Sequence, residues 1–287
     1  MKKLNDLSIR EMQNQDLAFA ATSTAAEGWV SEDLSTLEGF FLYNPKGCLI
    51  AKINRKPVGI CVATSFGKSG FIGELIVHPG FRGQGIGARL LNHGLSLLRA
   101  WGAESVYLDG VLKAVDLYER NGFHKVTRSW RFAGCLPARL SQYVRRMAPP
   151  DLDQVFALDE EYFGADRSFF LRRRAVLFPE LCHVMLEGDD ILGFIMGRRG
   201  AGWISAGPWV VSSVGENPIE LLHAFSHAVN GHDFSIAILD VNQASVGLVR
   251  SLGFEARPDS PWRMANGLCN DLGTSSGCYA AGSAAKG

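Results

Sequence analysis

The chain has 287 residues, 47% of them hydrophobic, and its 29 lysines and arginines equal its 29 aspartates and glutamates. That length holds two domains of ordinary size, and balanced charge without a basic stripe removes the term that dominates nucleic-acid affinity, so no nucleic-acid partner is expected. Cysteines scattered at 48, 61, 135, 182, 269 and 278 lack zinc-site spacing and disulfide density, no apolar run nears a bilayer span and no signal peptide is read, so no metal, no membrane and a cytoplasmic, reducing location are expected.

In chain order, the first clear pattern is an apolar strand from Cys48, a polar turn Asn54-Arg55-Lys56-Pro57 and a second strand. A further apolar strand covers residues 71–77, with Phe71, Gly73, Leu75 and Val77 on one face and Ile72, Glu74, Ile76 and His78 on the other. A carboxylate within such a strand invites a cleft location, which makes Glu74 the first candidate for a general base; His78 is the second, or simply caps the next loop. The strand runs into Val77-His78-Pro79-Gly80-Phe81-Arg82-Gly83-Gln84-Gly85-Ile86-Gly87, then a helix over 88–100 with Leu91, Leu95 and Leu98 on one face. Glycines there let the backbone turn sharply with its N–H groups unscreened, and the helix start aims free donors at the same point. A diphosphate suits that cradle, with Arg82 adding charge and Gln84 adding hydrogen bonds.

The loop is not a Walker loop, since Ile86-Gly87-Ala88 stands where Gly-Lys-Ser/Thr would be needed. A dinucleotide fold would place an acidic residue about twenty positions past the last glycine, and Asp109, closing a strand over 105–109, meets that spacing. A short helix over 113–121 follows and ends in Asn121-Gly122-Phe123, with the glycine in the usual C-terminal place. Leu117-Tyr118-Glu119-Arg120-Asn121-Gly122-Phe123 resembles the LY-x-x-x-GF signature of the GNAT superfamily of N-acetyltransferases, and Val77, Pro79, Arg82, Gly83, Gly85, Ile86 and Gly87 match that family's coenzyme A motif. The resemblance covers about residues 8–132.

The chain then repeats itself. Val144-Arg145-Arg146-Met147 echoes Ile9-Arg10-Glu11-Met12 at an offset of 135, Cys182 to Gly193 follows Cys48 to Gly59 at 134, and Leu252-Gly253-Phe254 follows Asn121-Gly122-Phe123 at 131. Opposite the glycine loop the second copy has Val211-Ser212-Ser213-Val214-Gly215-Glu216-Asn217-Pro218, and opposite Tyr118 it has Val249, a poor set for a coenzyme. Gly164-Ala165-Asp166-Arg167 and Gly207-Pro208 make the whole similar to bidomain GNAT proteins. The expected class is α/β (α+β): two tandem GNAT-fold domains, each a mixed, mostly antiparallel sheet flanked by helices. The expected bounds are a complete, catalytic domain over 1–135, a degenerate one over 136–265, and a loosely held Gly/Ala/Ser-rich tail over 266–287.

The resemblance implies acetyl-CoA as co-substrate, its pantetheine arm entering a splay between strands at 72–77 and 105–109. Backbone groups of Leu75, Ile76 and Val77 would pair with the arm, and Arg82, Gly83, Gln84, Gly85, Ile86, Gly87 and Ala88 would hold the diphosphate. Tyr118 would be the general acid, since a phenol is protonated at neutral pH and can pass its proton to a leaving thiolate. The acceptor would sit near Trp29, Glu32 and Asp33, beside Glu27, an aromatic wall with carboxylates that suits a cationic amine; a core tryptophan beside a helix cap at Ser31 is the alternative. Cys48 and Cys61 fall in sheet strands, which points to direct transfer without an acetyl-enzyme. The expected reaction is acetylation of a small-molecule primary amine. A non-catalytic acyl-CoA sensor and a protein lysine or N-terminal acetyltransferase are the alternatives, and pairing with a second copy of the chain stays open.

Overall fold

The computed structural model describes residues 6–29, 31–200, 202–212, 217–268, 272–283 and 287. It divides into two compact units, each carrying its own sheet and helices. No helix among the described residues is long and apolar enough to cross a membrane.

The first unit runs through β1 (Leu7–Glu11), α1 (Leu17–Ala26), α2 (Leu34–Tyr43), β2 (Cys48–Ile53), β3 (Lys56–Phe66), β4 (Ser69–Val77), α3 (Ile86–Ala100), β5 (Ser105–Gly110) and α4 (Val115–Glu119). β1 to β4 form an antiparallel meander, and β5 joins β4 in parallel. The β2–β3 turn needs only two residues: Asn54 and Arg55 both take positive φ, 49° and 64°, the pairing of a primed hairpin turn. Lys56 is thereby already in register opposite Ile53. Leu49, Ile50, Val58 and Ile60 are fully buried in the sheet, and Leu90, Leu91 and Leu98 bury one face of α3.

β4 and β5 pair only over Ser69–Ser105, Gly70–Val106 and Phe71–Tyr107. From Ile72 and Leu108 onward they part, and among the described residues no strand lies between them. Residues 264–267 complete this unit's sheet beside β5.

The second unit contains β6 (His124–Gly134) from Val126 onward, then β7 (Val144–Arg146), α5 (Leu152–Phe163), α6 (Ser168–Leu177), β8 (His183–Glu187), β9 (Asp190–Gly200), β10 (Trp203–Val211), α7 (Ile219–Ala228), β11 (Phe234–Leu239), α8 (Gln243–Ser251), β12 (Glu255–Ala256), the opening residues of β13 (Trp262–Gly267), and β14 (Cys278–Ala280). Its element order repeats that of the first unit: an antiparallel run β7-β8-β9-β10, then β11 in parallel with β10. Trp209, Phe132, Phe225, Phe234 and Phe254 make its core. Gly164 ends α5 in the left-handed region, and Arg167 meets Asp159 in a bidentate ion pair at 2.7 and 2.8 Å, both side chains buried.

The units divide the chain at Lys125 and Arg263, short of the sequence-based bounds at 135 and 265. The reason is pairing: β6 runs antiparallel to β11, from Phe234 opposite Gly134 to Leu239 opposite Ser129, so it belongs to the second sheet. The expected loose tail is also corrected. β14 pairs with β10, and Leu272, Cys278 and Ala280 are buried, because small residues let this segment lie flat against a strand edge. Residues 213–216, which carry most of the sequence contrast with the glycine loop, lie outside the described residues.

Candidate active site

The strict alternation read along residues 71–77 breaks at a β-bulge. Val62 lies opposite Gly73 and Ile60 opposite Ile76, so Glu74 and Leu75 together face Cys61. Glu74 takes φ 49°, a left-handed conformation uncommon for a non-glycine residue, and its side chain is buried, at 3% exposure. The bulge moves Ile76 onto the face of Gly73 and Phe71, and Val77 onto that of Ile72. Bulges of this kind re-aim a side chain beside a functional cleft, and here the re-aimed residue is a carboxylate.

Tyr118 approaches the same place from α4. Its ring packs edge-on against Phe123 and so close to Gly110, at the end of β5, that a Cβ there would stand 3.0 Å from it. The side chain is 7% exposed. Burial pushes its phenol well above the ordinary range, and the nearby Cys61 thiol adds to this. Burial likewise holds the Cys61 thiol protonated, with smaller contributions from Cys48 and Glu74. Glu74, Cys61 and Tyr118 thus share one neighbourhood where β4 leaves β5. Cys61 is the member that sequence reasoning set aside, and no spacing could have flagged it, since its place depends on the bulge opposite.

The glycine turn has the geometry a diphosphate needs. After the short turn Pro79–Phe81, Gly83 and Gly85 take φ 73° and 79°, and Gly85 caps α3. The first helical bond runs from Arg89 N–H to the Gly85 carbonyl at 3.1 Å, so the donors of Gly85, Ile86, Gly87 and Ala88 precede the helical ladder. Among the described residues, chain neighbours aside, Cβ atoms built on Gly83 and Gly85 would meet nothing within 4 Å, so the turn is open on that side. Ile86 is buried and anchors the helix start, and Gln84 is half-buried beside it. These residues fit the diphosphate of a coenzyme.

Arg82 has structural partners as well. Its Nε donates to the Val77 carbonyl at 2.8 Å, and its guanidinium pairs with Glu27. Lys113, just past β5, reaches the other Glu27 oxygen at 2.8 Å. Burial alone would raise the Glu27 carboxyl, but the bonds from Lys113 and Arg82 outweigh it and hold the group below the usual range. Glu27 therefore links the loop after β4 to the loop after β5, and Lys113 is a contributor that no sequence motif signalled. The Val77 carbonyl, among the backbone groups expected to pair with the pantetheine arm, accepts from Arg82. His78 is exposed, and its ring accepts from Gly80 N–H at 3.3 Å, the capping role.

On the acceptor side, Trp29 is half-buried, and Glu32 is buried, with Ser31 donating to its carboxylate at 3.3 Å. Asp33 caps α2, its side chain accepting from Thr36 N–H at 3.0 Å, the role that the alternative sequence reading gave to Ser31. Asp33→Ala is expected to cost about 1 kcal/mol of stability and to leave coenzyme affinity unchanged, readable by urea denaturation beside a coenzyme A titration.

Comparison with known proteins points to one family in both halves of the chain. The acetyltransferase (GNAT) family model matches residues 9–123, and an acetyltransferase (GNAT) domain model matches residues 155–273. Holothin acyltransferase from a Pseudoalteromonas strain is 25% identical over 223 residues, 77% of this chain and 70% of that protein. Mycothiol acetyltransferase from Propionibacterium freudenreichii subsp. shermanii is 31% identical over 122 residues, 39% of this chain and 38% of that one. A solved structure from Pyrococcus horikoshii superposes with a TM-score of 0.82 over 99% of this chain and 96% of that one, at 21% identity, which speaks for the fold alone.

Proposed function

Since the chain belongs to the GNAT acetyltransferase family, with a domain of that family in each half, we propose that its first unit transfers the acetyl group of acetyl-CoA to a primary amine of a small-molecule acceptor by direct attack. The observation that carries this is the approach of both Glu74 and Tyr118 to Cys61 where β4 parts from β5.

Acetyl-CoA would supply an activated acyl carbon and a thiolate leaving group. The donors from Gly83 to Ala88 hold its diphosphate at the helix start, where the dipole favours an anion. Leu75 and Ile76 orient the arm along the strand edge. Holding a lysine-like amine neutral at pH 7.4 costs roughly 4 kcal/mol, so Glu74 receives its proton, directly or through one water. Tyr118 gives a proton to the departing thiolate. The Cys61 thiol stays protonated in the sheet, which disfavours an acetyl-enzyme.

A small acceptor is favoured over a protein lysine because the relatives' names point to small molecules, holothin and mycothiol. The deciding experiment is thiol release from acetyl-CoA against a panel of amines, amino acids, polyamines and lysine peptides. Release with a small amine is expected; release confined to lysine peptides would move the acceptor to proteins. No release at all, with acetyl-CoA still raising thermal stability, would favour a sensor.

A further inference from the structure

The second unit repeats the splay, and there it is filled. β10 and β11 pair in parallel only at Ser205–Ser235 and Ala206–Ile236 and then part, as β4 and β5 do. In the opening stands a strand of the chain itself. Cys278 and Ala280 pair antiparallel with Val210 and Trp209. Val211 N–H donates to the Gly277 carbonyl at 2.9 Å on the β10 side, and Ala281 N–H donates to the Ala237 carbonyl at 2.8 Å on the β11 side. One short segment thus bridges both walls.

Side chains hold it as a groove holds an extended ligand. Asn242 Nδ2 donates to the carbonyls of Ser276 and Cys278 at 2.9 and 3.1 Å, and Ser245 Oγ donates to that of Tyr279 at 2.6 Å. The Tyr279 ring lies 4.8 Å from that of Trp209. Buried Arg174 donates to the carbonyls of Gly207 and Gly282. The fit is close: a Cβ on Gly207 would overlap the Ala281 carbonyl, and one on Gly277 would overlap the Tyr162 ring and the Val211 carbonyl. Backbone pairing with alternate side chains in pockets is how sheet edges capture extended peptides.

We propose that residues 277–281 are a built-in strand ligand, occupying in cis the second unit's coenzyme-type splay, so that the chain carries one coenzyme site and its second unit is closed by its own backbone. The count of sites rests on the reading of the first unit given above; the occupancy of the second splay does not.

Cys278 reports on the segment in the full chain. It is 8% exposed, and burial pushes its thiol up to about 12. Cys135 is exposed and Cys182 lies in the second unit's core, so they serve as reactive and protected references. Iodoacetamide labelling mapped by mass is expected to modify Cys135 at least on the order of a hundredfold faster than Cys278 in the wild type. Gly277→Leu, and more mildly Tyr279→Ser, should expose Cys278 while Cys182 stays protected. Equal labelling of Cys278 and Cys135 in the wild type would overturn the proposal. So would Cys182 and Cys278 opening together in both variants, which would make the segment part of the cooperative core. Calorimetry with coenzyme A should give one equivalent per wild-type chain; two would also overturn it. Absence of coenzyme binding would instead count against the first-unit site, leaving the labelling result to decide the second.

Discussion

Tyr118→Phe lowers kcat by roughly two to four orders of magnitude, the usual range for losing a positioned general acid, and leaves coenzyme A affinity within twofold of wild type, about 0.4 kcal/mol on the scale where tenfold is 1.4. The substitution removes one hydroxyl and keeps the ring that packs on Phe123 and Gly110, so the fold has little reason to respond. The charge logic fixes the direction. Burial first, and the Cys61 thiol second, push the phenol above its ordinary value near 10, so the folded enzyme holds the proton at every pH where an amine is acetylated. A proton held that firmly is released only to a base as strong as a developing thiolate in the same dry setting. The pH profile of kcat should therefore show no alkaline decline near 10 attributable to this group. A kcat loss below tenfold would mean that the proton comes from elsewhere. A sensor would offer no turnover to lose, and the same variant would bind coenzyme A as the wild type does.

Much of this site was legible in the sequence because it is built from local backbone requirements. Gly83 and Gly85 occupy positions with positive φ at a helix start, and a motif written in glycines follows from that geometry. The duplication was legible for a similar reason: the strands and turns at Cys48 and Cys182 keep one spacing, and both copies fold as paired strands across a two-residue turn. What escaped was set by long-range pairing. The bulge at Glu74 exists only relative to β3, so alternation along one strand misplaced Ile76 and Val77. Glu27 was read as part of an acceptor wall, but Arg82 and Lys113, distant in sequence, claim its two oxygens. Low complexity suggested a loose tail; the strand edge of β10 and the donors of Asn242 and Ser245 give it a fixed place.

Gly85→Val is expected to weaken coenzyme A binding by more than tenfold while costing about 1–2 kcal/mol of stability, the penalty for an L-residue in the left-handed region. The two effects have separate origins. At φ 79° a β-branched side chain is strained, and relief comes by rotating the turn. Among the described residues nothing beyond its chain neighbours lies within 4 Å of the new Cβ, so packing adds no further loss. The turn, however, sets where the donors of Gly85 to Ala88 converge, and an anion held by several charge-assisted bonds loses more from a misaligned set than the fold does. Gly87→Ala is the matched control. Gly87 lies in the first turn of α3 without positive φ, and its Cβ would meet Leu117 and Val77 at 3.5 and 3.7 Å, ordinary contacts. There the change should stabilise by roughly 0.4–1 kcal/mol, as glycine-to-alanine changes at unstrained positions do by narrowing the unfolded ensemble. Isothermal titration with coenzyme A beside thermal melts reads both quantities. Affinity that tracks stability across the two variants would reduce the loop to a structural turn; affinity lost at Gly85 far beyond its stability cost would make the loop the diphosphate cradle.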